Sequence, residues 1–310
     1  MAIFYLFDFR SLWSPFFAMY LFLILFLYYL ITVKYRKCFK QSEPLSKNQA
    51  AFFIGFILLL YLIKGSPIDL MSHMMLTMHM VQMAFLVLII PILFIKGIPD
   101  WLWKTVINIK LIKPLFRFFT KPLISMLLFN VLFSFYHIPL ILDFSKTNNF
   151  YHALMHSLLF FLAIFLFWPV LNNLNESKAM SGILKTGYIF ANGALMLPAC
   201  ALIIFADKPI YQTYSNPETW FNALALCATQ SSLSRLGSAG PELLKIFNPL
   251  GPLHDQQLGG ILMKTVQEIV YGVIIAIIFA DWYRKDQKEA LEEERNAYNL
   301  KNNNKEIANQ

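Results

Sequence analysis

The chain has 310 residues, of which 57% are hydrophobic, 16% aromatic and only 14% charged, with a formal net charge of +8. Soluble domains carry roughly 25% charged residues, and a mean hydropathy of +0.53 exceeds what a soluble core of this size could hide, whereas lipid accommodates it. The basic excess falls between apolar segments rather than in one patch, so it argues for membrane topology and against a nucleic-acid partner.

In chain order, the opening MAIFYLFDFR carries aromatics and Asp8 where a secretory signal would place its basic region, so it does not read as a typical signal peptide. Seven apolar spans follow: Trp13 to Val33, Gln49 to Ile63, Met71 to Ile95, Pro122 to Tyr136, Phe150 to Leu171, Ile183 to Ala206 and Ile261 to Ala280. Crossing a bilayer takes about 17 to 25 residues, so the second and fourth spans are short. Thr219 to Leu236 is a candidate eighth span, but Thr229, Gln230, Ser231, Ser232 and Arg235 favour an interfacial or external helix. GSAGP, from Gly237 to Pro241, reads as a flexible external loop. The predicted fold is all-α: one seven-helix transmembrane domain over residues 1–282, then a polar tail over 283–310 that frays into an Asn-rich end. There is no internal repeat.

Lysine and arginine set the predicted orientation. Lys34, Arg36, Lys37, Lys40 and Lys47 fill the first loop, and Lys96, Lys104, Lys110, Lys113, Arg117 and Lys121 the third. Lys178 and Lys185 lie in the fifth, and six more, from Arg284 to Lys305, in the tail. The alternate segments hold only Arg10, Lys64, Lys146, Lys208, Arg235 and Lys245, so the split is 19 against 6, with Lys264 at the edge of the last span. The positive-inside rule makes the rich side cytoplasmic, with the N-terminus outside.

On that topology all six histidines lie at the outer side. His73 and His79 fall in the outer half of span three, His137 at the outer end of span four, His152 and His156 at the opening of span five, and His254 just outside span seven. Intramembrane polar groups are costly and tend to face a functional interior; the alternative is that each ring satisfies a local hydrogen bond. His152 and His156, spaced i,i+4, share one helix face, the geometry of a two-histidine metal or haem arm. Without the Glu of HExxH no zincin is signalled. In MSHMMLTMHMVQM, Met75, His79 and Met83 form an i,i+4 stripe, with Met71, Met74 and Met78 nearby. Thioether plus imidazole suits Cu(I), although methionine stripes also arise from core packing. Lys264 and Glu268 read as an intrahelical ion pair, a proton or metal contact being the alternative. The three cysteines, Cys38, Cys200 and Cys227, share no CxxC spacing and signal neither a disulfide framework nor a thiol metal site. There is no Walker A loop, dinucleotide fingerprint or GxSxG elbow.

Taken in order, LWSP (Leu12 to Pro15), HMVQM (His79 to Met83), Pro91, Gly97, Pro99, YHIP (Tyr136 to Pro139), the HxxxH of His152 and His156, WP (Trp168, Pro169) and DQQLGG (Asp255 to Gly260) resemble one family. It is the polytopic CtaG family of caa-type cytochrome c oxidase assembly factors found in Gram-positive bacteria. The resemblance implies a multi-pass protein of the bacterial cell membrane with a non-enzymatic role. It implies maturation of cytochrome c oxidase, with formation of the copper centre in the catalytic subunit, its expected partner. Many members carry a second histidine where this chain has Met83, and that departure favours copper over haem. The expected copper ligands are His79, Met83, His152 and His156, with His73, Met75, His137, His254 and Asp255 as secondary candidates. The rival readings are a haem- or quinone-binding redox protein with His152 or His156 as axial ligand, and a metal transporter. The last has little to couple ion flow, with few intramembrane charges and no inverted repeat.

Overall fold

The computed structural model describes residues 6–172, 174, 180–237 and 243–308. Lys178 and most of the GSAGP loop lie outside them. Every described element is helical, and no strand occurs among the described residues. Seven long helices organise the chain: α1 (Pro15–Lys34), α2 (Lys47–Lys64), α3 (Leu76–Gly97), α4 (Pro122–Tyr136), α5 (Asn149–Leu171), α6 (Gly182–Ile204) and α7 (Pro252–Ala308). Six are long and apolar enough to cross a membrane. The helix Ile112–Phe119 and α4, bent by 77° at their junction, make a seventh when counted as one span. The chain is an all-α, multi-pass membrane protein.

Helix starts follow from local chemistry. Pro15, Pro67, Pro122, Pro139, Pro217 and Pro252 each open a helix, where the missing N–H is no loss. Ser46 and Gln49 form a capping box on α2, and the Asn148 side chain accepts from Phe150 and Tyr151 N–H at the start of α5. Outward-facing Phe16, Met19, Phe22 and Phe26 on α1 are exposed, as lipid contact requires. Inside, Asn130, Asn192 and Tyr271 hydrogen-bond across α4, α6 and α7, the polar glue expected between helices in lipid. Lys264 and Glu268 pair at 2.6 Å on α7.

One expectation changes. The third span is not one helix from Met71. It breaks at Met75, whose backbone is extended (φ −134°, ψ 134°), into a short helix Pro67–Met74 and α3. The stripe Met75–His79–Met83 is therefore interrupted at its first member. The fourth span has the bounds read from the sequence, Pro122–Tyr136, 15 residues or about 22 Å at 1.5 Å per residue, and the helix before it is bent away from it by 77°. As the polar run favours, Thr219 to Leu236 is not an eighth span; it forms two short helices, Pro217–Leu224 and Gln230–Gly237. With Pro139–Lys146 and Gln212–Ser215 they build a cap over the end of the bundle that carries the histidines. At the other boundary α7 runs without a break past residue 282.

Close backbone approaches fix the bundle. A Cβ on Gly260 would lie 2.7 Å from Ile204 Cγ1, and one on Gly259 3.1 Å from the Thr77 Cα, so the paired glycines let α7 seat against α6 and α3. At the opposite end a Cβ on Gly97 would meet the Phe53 backbone nitrogen at 2.8 Å, and the Gly97 carbonyl accepts from Tyr28 Oη at 2.8 Å. Backbone cannot retreat as a side chain can, so Gly97→Ala is expected to cost at least the 1–3 kcal/mol typical of overpacking, about 2 kcal/mol or more. A lowered thermal midpoint in detergent checks this.

Candidate functional site

The break at Met75 strands backbone groups on both sides of it, as any helix end does. Each side is met by a distant side chain. The Asp255 carboxylate accepts from Leu76 N–H at 2.6 Å and Thr77 N–H at 3.2 Å, and the Thr77 hydroxyl donates to the Asp255 carbonyl at 2.8 Å. Asp255 thus caps α3 from α7, a negative charge at a helix N-terminus. On the other side, the Ser72 carbonyl accepts from Lys146 Nζ at 3.0 Å and Tyr214 Oη at 2.9 Å, and the Met74 carbonyl accepts from Trp220 Nε1 at 3.1 Å. Lys146 is fully buried. Burial pushes its amine down to about 7, and repulsion from Lys64 adds to the effect.

This broken segment presents two histidines at different angles, His73 before the break and His79 after it. His137 ends α4, its Nδ1 2.7 Å from the Phe133 carbonyl. His152 and His156 lie on consecutive turns of α5. The five rings form a chain: His73 to His152 at 5.0 Å between ring centres, His152 to His156 at 4.1 Å, His156 to His79 at 5.9 Å and His79 to His137 at 6.1 Å. Tyr136 lies against the rings of His79 and His137, and its hydroxyl is 3.1 Å from His156 Nε2. All five histidines are buried.

Most of their nitrogens have no hydrogen-bond partner among the described residues. Both nitrogens of His79 and of His152 are orphaned, as are Nδ1 of His73 and His156 and Nε2 of His137. An unsatisfied buried polar atom costs about 1–3 kcal/mol, and buried polar atoms are normally paired with protein, water or a ligand, so these seven atoms form a cluster able to hold a ligand. A metal ion bound by an imidazole nitrogen at about 2.0–2.1 Å sits roughly 3 Å from the ring centre, so rings sharing one ion lie up to about 6 Å apart. His79 with His156, and His79 with His137, have that spacing as they stand. The donor set, neutral imidazoles in an apolar setting, fits a soft or borderline ion.

Of the residues singled out from sequence, His73, His79, His137, His152 and His156 come together. Met83 is fully buried one turn further along α3 from His79, within the main apolar core. Met75 does not join the site: at the break it turns into the cap and packs with Leu70, Met74 and Trp220. His254 is exposed on the first turn of α7. Asp255 is committed to capping, with both oxygens occupied by backbone N–H groups, so its place in DQQLGG is architectural. Gln256 has the same character, accepting from Ile210 N–H and donating to the Ile203 carbonyl.

Sequence reasoning passed over Tyr136, Asp69, Gln82 and Lys146. Asp69 Oδ1 accepts from Lys64 Nζ at 2.6 Å and Gln82 Nε2 at 2.7 Å, and Gln82 also donates to the Ile63 carbonyl. Burial opposes ionisation of Asp69, but Lys64, His73 and Gln82 together outweigh it and hold the carboxyl below its ordinary value. The position of Tyr136 and Gln82 inside YHIP and HMVQM was the signal available. Lys146 gave none beyond an isolated charge.

A family model described as cytochrome c oxidase caa3 assembly factor matches residues 26–285, a range that contains every residue of the histidine chain. No curated protein and no solved structure gives a match.

Proposed function

The chain belongs to the cytochrome c oxidase caa3 assembly factor family, and from that premise we propose that it holds copper(I) on the buried histidines and delivers it to the oxidase catalytic subunit. The single observation that carries this reading is the set of orphaned imidazole nitrogens around His79. His79, His137 and His156 supply a two- or three-coordinate arrangement suited to copper(I), and His152 and His73 continue it toward the surface. Neutral imidazoles bind without bringing extra charge into the membrane, and the Tyr136 hydroxyl holds the His156 ring in place through Nε2. Copper is cargo here, so the role is non-catalytic.

The lysine-rich end faces the cytoplasm by the positive-inside rule, which puts the histidine end on the outer side. The tail beyond residue 282 is then a cytoplasmic extension of α7.

The test is a strain lacking this protein. Its membranes are expected to retain the reduced-minus-oxidised haem a spectrum while oxidase activity disappears and copper per haem a falls. Activity and copper content equal to the parent would overturn the proposal.

A further inference from the structure

A cleft of about 770 Å³ opens between α1, α2 and α5 and reaches His73, His152 and His156. Its wall also carries Asp69 and Cys227. One ligand atom each from Asp69, His73 and Cys227 lies within 4.8 Å of the others. Two helices and a turn create this meeting. Asp69 and His73 are i,i+4 on Pro67–Met74. Cys227 lies in the turn after Pro217–Leu224, and Trp220 Nε1 pins that helix to the Met74 carbonyl.

The free valences point the same way. His73 is 1% exposed and its Nδ1 has no partner. Asp69 Oδ1 is taken by Lys64 and Gln82, and Oδ2 makes no hydrogen bond among the described residues. Cys227 is a free, partly buried thiol.

We infer that Asp69, His73 and Cys227 form a second copper(I) site, the port through which the ion passes from the cleft to the histidine chain by way of His73 and His152. Only the direction of transfer rests on the copper reading of the histidines; the three-residue site stands on its own geometry. A free cysteine, with an ordinary pKa of about 8.5, is mostly protonated at neutral pH, so the resting group is the thiol. Binding forms a copper–sulfur bond and breaks the S–H bond, and the proton leaves through the cleft. Copper stays copper(I), and no electron moves. One positive charge replaces another, so the buried site keeps its net charge. Carboxylate and thiolate are then balanced by copper(I) and Lys64, whereas a divalent ion would add an uncompensated charge beside Lys64 and Lys146. Thiolate is a soft ligand that favours copper(I), and imidazole also suits copper; the charge balance is what sets copper(I) apart from zinc here.

The full chain, purified in detergent in a Cys38→Ser background to remove the exposed thiol, is titrated with copper(I) against a chromophoric copper(I) chelator. Cys227→Ser and Asp69→Asn are each expected to lose one bound ion and the proton released with it, while His79→Ala loses a different ion and keeps that proton release. Loss in Cys227→Ser with parental binding in His79→Ala would leave the port standing and remove the histidine reading instead. Parental stoichiometry and proton release in both Cys227→Ser and Asp69→Asn would overturn the port. The unaltered cysteine gives a second measurement that needs no folded variant. Copper(I) is expected to slow alkylation of Cys227 about tenfold or more, since a coordinated thiolate is no longer a free nucleophile; alkylation indifferent to copper(I) would overturn the port as well.

Discussion

Replacing His152 and His156 together by alanine is expected to abolish oxidase maturation while leaving the protein in the membrane at close to its normal amount. The two rings bring three orphaned nitrogens into the interior and make one hydrogen bond, to Tyr136. Removing them therefore relieves desolvation even as it opens space, and the net change in stability is small. The functional loss is large. Even changes to groups that only support a metal ligand cost about 10–100-fold in affinity, and here two links of the ring chain disappear at once. Oxidase activity per haem a, measured beside an immunoblot for the variant, separates the effects. Full activity with normal abundance would remove these residues from the site.

Asp255→Ala is expected to do the reverse, destroying the protein rather than its copper chemistry. It leaves the Leu76 and Thr77 N–H groups buried at a helix end with no acceptor. Two such groups and a lost cap correspond to about 2–5 kcal/mol, a large share of a stability that is typically about 5–15 kcal/mol. Asp255→Asn keeps one carbonyl acceptor but turns an amide NH2 toward the other N–H, so it should fall between parent and alanine. Thermal midpoint and membrane abundance read this directly. Were Asp255 a copper ligand instead, Asp255→Asn would lose copper at an unchanged midpoint.

The contrast between these two residues shows what could be read in the sequence. Apolar length and the spacing of lysines and arginines suffice for the spans, because lipid leaves a chain few ways to satisfy its backbone. The gathering of histidines at one end follows from the same topology, and five of the six do meet. The break at Met75 leaves no local trace. MSHMMLTMHM has neither proline nor glycine at that point, and its apolar pattern continues through. The break is held by Asp255, Lys146, Tyr214 and Trp220, all far away in the chain, and so Met75 reads as a ligand in sequence and packs as a core residue in structure. Lys146 escaped notice for the same reason. A lone lysine in an outer loop is an ordinary surface charge until a carbonyl at a severed helix end gives it a buried partner. Asp69 and Cys227 are separated by more than 150 residues in the chain, a distance across which spacing rules for metal motifs say nothing.

That severed helix also sets an order on biosynthesis. The carboxylate that completes α3 lies 179 residues downstream of Leu76, on α7, so it leaves the ribosome long after the segment it caps. Until it arrives, His73 and His79 belong to a segment free to close up as one continuous helix, which would carry the two rings around a different face. The histidine chain is thus assembled only once α7 has been made, and a product truncated before Asp255 is expected to reach the membrane without the five rings brought together.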